Sequence, residues 1–212
     1  MGASASLAPS EHAGTVARIG PNAIIQVAAA MGDRLGRART EPWLRECTGY
    51  SFDHLPTEMV AEHEAQALVH SLLTHVGPRL TADLLRDAGH RTGDYLLANR
   101  IPRVAHWAIR AAPRTVGLRL LLKAMQQHAW TFAGSGQFVV QYPRDGQRGI
   151  PDLIFESCPM CRDLHEHQPM CDFYGGTFER LIRALVARFA SVQEVECMAK
   201  GDARCRFILE GI

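Results

Sequence analysis

The hydrophobic period of this chain changes near residue 130, and with it the structure the chain can adopt. Before that point apolar residues recur every three or four positions, the spacing of one helix face. Beyond it they fall into short runs bounded by turn residues, as strands do. Pro21 suits the first turn of a helix running to about Gly36, with Ile24, Val27, Ala28 and Met31 on one face. Thr40 and Pro42 open a short helix that ends near Cys47. From Thr57 to Val76 the series Ala61, Ala65, Leu68, Leu72, Val76 is helical, and Gly77-Pro78 stops it. Thr81 is expected to cap the next helix, which carries Leu84, Leu85, Ala88, Leu96 and Leu97 to about Asn99. Segments 102–111 and 114–129, separated by Pro113, are helical too. Then 132–142 and 150–155 read as strands, 176–189 as a helix, and 192–199 and 205–209 as closing strands joined through Lys200-Gly201-Asp202. Helices first and hairpin-linked strands later define an α+β domain, a helical half followed by an antiparallel sheet with a C-terminal helix and β-hairpin. Residues 1–18 are expected to form a flexible tail, with 19–212 as a single domain.

At 212 residues such a domain buries a sizeable core. A formal net charge of +1 argues against nucleic acid as the main partner, because phosphate binding leaves a basic excess. Of the 23 basic residues only Lys123 and Lys200 are lysine. The arginine forks suit a carboxylate-bearing ligand, although genomic base composition is the plainer account. No run approaches the roughly 18 apolar residues of a membrane span. The first residues lack the basic and apolar regions of a secretory signal, so the expected compartment is the cytoplasm.

In that compartment cysteines read as metal ligands or redox groups rather than disulfides, and five of them (Cys158, Cys161, Cys171, Cys197 and Cys205) crowd the last third of the chain. Cys197 and Cys205 flank the terminal turn. A three-residue loop at 200–202 sets them directly across from each other, with Cβ atoms about 4.5–5.5 Å apart. A two-residue Gly201-Asp202 loop pairs Cys197 with Arg206 and throws the thiols onto opposite faces. Cys171 is the natural third ligand of a tetrahedral zinc. The fourth is open between Glu194, Glu196 and a cysteine of the Cys158-Pro-Met-Cys161 pair. Strand parity disfavours Glu194, which reaches the cysteine face only at a β-bulge. The Cys158/Cys161 pair has the spacing of a redox dithiol or half a zinc site, with His165 and His167 near enough for a second metal, and is expected to be dispensable for the first. Cys47 stands alone as a half-buried small hydrophobe.

The stretch Cys171-Asp-Phe-Tyr-Gly-Gly-Thr-Phe, followed by Glu194-Val-Glu-Cys197-Met-Ala-Lys-Gly201-Asp-Ala-Arg-Cys205-Arg-Phe, resembles the vinyl-4-reductase domain family. That family also supplies sensor domains of aromatic-responsive bacterial activators, and is related in fold to the TRAPP trafficking subunits. The resemblance implies a zinc ion on Cys171, Glu194, Cys197 and Cys205, against the parity argument. Thr81-Ala-Asp-Leu-Leu-Arg-Asp-Ala-Gly-His-Arg-Thr-Gly93-Asp-Tyr-Leu-Leu extends it toward the purple-bacterial members that serve bacteriochlorophyll biosynthesis. It implies an accessory protein that binds or delivers a porphyrin or chlorophyllide intermediate. A pathway enzyme such as magnesium chelatase is its implied partner, and homodimerisation is implied as well. The alternative it carries is reduction of the 4-vinyl group of a divinyl chlorophyllide.

Vinyl reduction needs a hydride donor. Gly134-Ser-Gly136 precedes a strand rather than a helix and lacks the third glycine of a dinucleotide fingerprint. Tyr174-Gly-Gly-Thr precedes a helix whose N-terminus suits an anion, but its glycines read more simply as a sharp turn beside Cys171. A carrier needs instead an apolar pocket with a few polar anchors. Gly89 and Gly93 offer a groove, Tyr95, Trp107, Trp130 and Phe132 offer planar faces, and His90, His106 or His128 could ligate a central magnesium. Arg86, Arg91 or Arg103 could meet a propionate. Each has a plainer reading as helix contact, core or surface.

Overall fold

The computed structural model describes residues 16–143 and 149–212; the expected tail lies outside them as far as residue 15. Arg18 already pairs with Ala61, in a two-stranded ribbon of β1 (Arg18–Ile19) and β2 (Val60–Ala61), so the folded chain starts ahead of the expected boundary. Five helices then make the N-terminal half: α1 (Asn22–Leu35), α2 (Arg37–Thr48), α3 (Glu62–Asn99), α4 (Arg103–Ala111) and α5 (Arg114–Gln127). After them come β3 (Gln137–Gln141), β4 (Asp152–Glu156), α6 (Asp172–Leu185), β5 (Ser191–Glu196) and β6 (Cys205–Glu210). The sheet runs β3-β4-β6-β5 with every neighbouring pair antiparallel. The α+β class and the order of its halves are those expected.

Two boundaries differ from expectation for identifiable reasons. Gly77 is the one non-helical residue inside α3, at φ 75° and ψ 170°, and Pro78 restarts the helix directly behind it. Thr81 therefore lies inside a turn already formed; its Oγ1 donates to the Gly77 carbonyl at 2.8 Å rather than capping. The C-terminal helix begins at Asp172, right after Cys171, so Gly175 and Gly176 sit within it and form no turn. Their small size serves a helix crossing instead. A Cβ at Gly176 would run into the Arg86 carbonyl, and one at Gly89 would meet the Phe173 carbonyl and stand 2.9 Å from the Thr177 nitrogen. The backbones of α3 and α6 thus touch, and Thr177 Oγ1 reaches the Gly89 carbonyl at 3.1 Å.

The other face of α6 covers the sheet. Phe138, Phe155, Tyr174, Phe178 and Phe207 pack there with ring centroids 4.3–6.5 Å apart, and Phe155 and Phe207 are wholly buried. Glu179 on α6 is also buried, with Arg86 at 2.6 Å, Arg183 at 2.8 Å and His90 at 3.2 Å. Arg86 further donates to the Val192 carbonyl at 3.0 Å, so one ionic cluster joins α3, α6 and β5. Removing one partner of such a cluster typically costs about 3–5 kcal/mol.

Candidate metal centre

The β5–β6 hairpin carries the centre. From Ser191↔Glu210 to Glu194↔Phe207 the register is regular; then Glu196 pairs with Arg206, leaving Val195 as an extra residue. This bulge removes the parity objection, because Glu194 and Cys197 can face the same side across it. The shifted register also carries Cys197 to the position opposite Cys205, the next step beyond Glu196↔Arg206. The expected three-residue loop is not what achieves this. The strands are joined by a longer connection containing a 3-10 turn, Met198–Lys200, with Gly201 in the left-handed region at φ 93°. Asp202 fixes it by accepting from the Cys197 nitrogen at 2.8 Å.

Cys171, Glu194, Cys197 and Cys205 have ligand atoms all within 4.8 Å of one another, and the three cysteines are wholly buried. Glu194 Oε2 accepts from the Cys171 nitrogen at 2.9 Å, while Oε1 is buried without a hydrogen-bond partner among the described residues. Burial, reinforced by the neighbouring Cys197 sulfur, pushes the Glu194 carboxyl up to about 10. Burial likewise raises the Cys171 thiol well above its usual range. Groups like these ionise together only around a cation, and an orphaned carboxylate oxygen facing three thiols fits a tetrahedral dication. Backbone N–H groups of Met170 and Met198 point at the Cys197 and Cys205 sulfurs, each at 3.4 Å, as donors do toward thiolates. A cleft of about 420 Å³ between Arg86, Asp172 and Gln193-Glu194 opens beside the carboxylate and offers an entry path. Glu196, the rival fourth ligand, is committed elsewhere, to Arg206 at 2.8 Å and Arg204 at 3.1 Å.

The structure also brings in the pair expected to stand apart. Cys158, Cys161, Cys171 and Cys205 form a second set within 4.8 Å, all buried, with Cys158 Sγ 3.4 Å from Cys171 Sγ and Cys161 Sγ 3.3 Å from Cys205 Sγ. His165 and His167 are exposed and belong to neither set. The Cys-x-x-Cys spacing is the signal the sequence offers; that its loop folds back onto the hairpin is not readable from spacing.

The candidate ligand residues of the helical half are dispersed. Gly89 and Gly93 face α6, where a Cβ at Gly93 would lie 2.7 Å from the Arg180 side chain, so α6 fills the expected groove. His90 is engaged by Glu179, and Tyr95 lies beside Arg100. Phe132 packs into the aromatic core against Phe138 at 5.3 Å and Phe155 at 6.0 Å. Trp107 on α4 and Trp130 after α5 are exposed, at 75% and 67%. His106 is half-buried, and its Nε2 is buried without a partner among the described residues. The sequence holds one further signal. Between Tyr95 and Pro143 there are six arginines and lysines and no acidic residue, so the cations do cluster.

Residues 151–211, which span β4, α6 and the hairpin, match the model of the vinyl-4-reductase (V-4-R) domain. The chain is 38% identical over 194 residues to the bacteriochlorophyll synthase 23 kDa chain of Cereibacter sphaeroides, covering 91% of this chain and 90% of that one. The Rhodobacter capsulatus protein of the same name is 37% identical over 192 residues, covering 91% and 86%. A 58-residue segment is 34% identical to the uncharacterized protein MJ0745 of Methanocaldococcus jannaschii. In fold the chain is similar to an H-NOX protein from K. algicida, with a TM-score of 0.60, 13% identity and coverage of 90% and 95%. A further structure, titled for modulation of heme redox potential through protein-induced porphyrin distortion, gives a TM-score of 0.53 at 13% identity, covering 90% and 99%. No helix of the described residues is long and apolar enough to cross a membrane. This chain belongs to the family of the bacteriochlorophyll synthase 23 kDa chains, and its last third is a vinyl-4-reductase domain.

Proposed function

We propose that the protein is a tetrapyrrole-binding accessory protein of bacteriochlorophyll biosynthesis, with zinc on Cys171, Glu194, Cys197 and Cys205 and the pigment on the α4 side. Near-full-length kinship with proteins named for that pathway supports the pathway. The observation that carries the pigment site is His106. Two side-chain polar atoms of the described residues are buried without a partner, Glu194 Oε1 and His106 Nε2. The first lies in the metal centre. An unpaired buried imidazole nitrogen costs about 1–3 kcal/mol, and the metal at the middle of a macrocycle would accept its lone pair. Beside it, Trp107 and Val104 leave apolar surface exposed at 75% and 78%, which a macrocycle would cover. The acid-free run around α4 and α5 supplies arginines for ring carboxylates. The fold is compatible with such a ligand, since the similar H-NOX structures include one titled for porphyrin distortion.

Titration of the purified protein with a magnesium porphyrin and with its metal-free form, followed by fluorescence quenching, tests this reading. Binding of both at micromolar concentration or below is expected. His106→Ala should weaken the magnesium form at least about tenfold, roughly 1.4 kcal/mol, while leaving the metal-free form nearly unchanged. Failure to bind either ligand refutes the carrier. Reduction of a divinyl chlorophyllide by the purified protein with NADPH alone would establish the reductase in its place.

A further inference from the structure

A single zinc on the first tetrad leaves two of five buried thiols without a task. Cys158 and Cys161 are 0% and 1% exposed, on a loop fastened from two sides. Gln66 of α3 donates to the Pro159 carbonyl at 2.7 Å, and Arg162 bonds Glu62 at 3.0 Å. Their sulfurs point inward, at the same two cysteines that the first tetrad uses. We propose that Cys158 and Cys161 complete a second metal position that shares Cys171 and Cys205 with the first, so that the centre holds a thiolate-bridged pair of zinc ions. This rests on the zinc reading of the first tetrad.

The partition of the ligands carries the proposal. Six donor groups form two sets of four, and the two sets share Cys171 and Cys205. One set adds Cys158 and Cys161, the other Glu194 and Cys197. That is the connectivity of two tetrahedra joined along an edge, the edge being the pair of sulfurs that bridge. Those bridging sulfurs lie 3.6 Å apart, near the edge of about 3.8 Å that zinc–sulfur bonds of about 2.3 Å give a tetrahedron. The contacts of 3.4 Å and 3.3 Å to Cys158 and Cys161 are close to the same length. A thiolate sulfur keeps several lone pairs and can serve two dications.

Charge balance favours the second ion. With one zinc, three thiolates and a carboxylate leave the buried centre at a net two negative charges, beside two neutral thiols. When a second dication enters, Cys158 and Cys161 release their two protons to solvent and each forms a metal–sulfur bond. The net charge of the buried centre does not change, so no extra charge has to be desolvated. No electron moves and no co-reactant is needed.

Elemental analysis of protein refolded in excess zinc and then desalted should give about two zinc ions per chain. Cys158→Ser combined with Cys161→Ser should give one and keep the native far-ultraviolet circular dichroism. One ion in both proteins overturns the second position and leaves the zinc reading intact; none in either overturns both. Should the double variant misfold, cobalt titration of the wild-type chain decides alone. The first equivalent should give the full paramagnetic signal of isolated cobalt(II), and the second should lower the signal per ion as the shared sulfurs couple the spins. Saturation at one equivalent, or two equivalents without coupling, overturns the bridged pair.

Discussion

Glu194 shows how far one residue's behaviour depends on what surrounds it. Its carboxyl is pushed up to about 10 by burial and by Cys197, while the unfolded chain releases the same proton near 4.5. Between those values the metal-free folded state binds more protons than the unfolded one, so metal-free stability falls as pH rises through the window. Below about 4.5 both states are protonated and the effect vanishes. Urea unfolding of the metal-free protein should therefore give a lower midpoint at about pH 7.5 than at about pH 5, and Glu194→Gln should flatten that slope. A metal-free protein whose midpoint rises over this range would remove the carboxyl from its buried place. With zinc bound the sign reverses, because protons compete with the metal for every ligand. The spacing of Cys171, Cys197 and Cys205 along the chain is enough to single out these three residues, and family resemblance adds Glu194. The bulge that lets Glu194 serve is not legible in the same way. Nothing in Glu194-Val-Glu distinguishes a bulged strand from a regular one, since the extra residue is defined only against β6.

Among the elements, the α3–α6 crossing is where sequence and structure part most clearly. Gly89 and Gly93 at one-turn spacing read as a groove for a ligand, and the structure fills that groove with another helix. Local sequence announces a notch but not its occupant, because the occupant lies some 90 residues away in the chain. The helix ends tell the same story. Gly175 and Gly176 suggest a turn locally, yet tertiary contact with α3 offsets their cost within a helix, about 1 kcal/mol each relative to alanine. Gly89→Ala should accordingly destabilise the protein by about 1–3 kcal/mol, or more, since its methyl group would meet backbone rather than a flexible side chain. The check is the chemical denaturation midpoint; a neutral or stabilising outcome would mean that the two helices stand apart in solution. Ala88→Gly, at the adjacent buried position, is a control of similar propensity cost that leaves the crossing intact.

For the whole molecule, the change of hydrophobic period near residue 130 is enough to give the class and the order of its halves. It does not give their attachment, because the contacts that join them are long-range and involve glycines and charges rather than periodic apolar residues. The metal centre lies at the start of α6 and the end of β5, both of which the Glu179 cluster ties to the helical half. Chelation of the metal should therefore lower the melting temperature of the protein as a single transition, rather than melt the hairpin alone. At about 2–4 °C per kcal/mol for a chain of this size, a loss of several kcal/mol predicts a fall of about 10 °C or more. Calorimetry showing two separated transitions after chelation would mean that the halves are thermodynamically independent. The Gly77 break takes on meaning at this scale. On one side of it Gln66 and Glu62 are fastened to the cysteine loop, and on the other Arg86 and Gly89 are fastened to α6. Gln168 reaches the Pro78 carbonyl itself at 3.2 Å. The long helix is in effect a broken rod held straight by a splint, and the splint is the cysteine-bearing lobe. Its stiffness at the fracture is borrowed, so a loosened lobe would turn a rigid spar into a hinge.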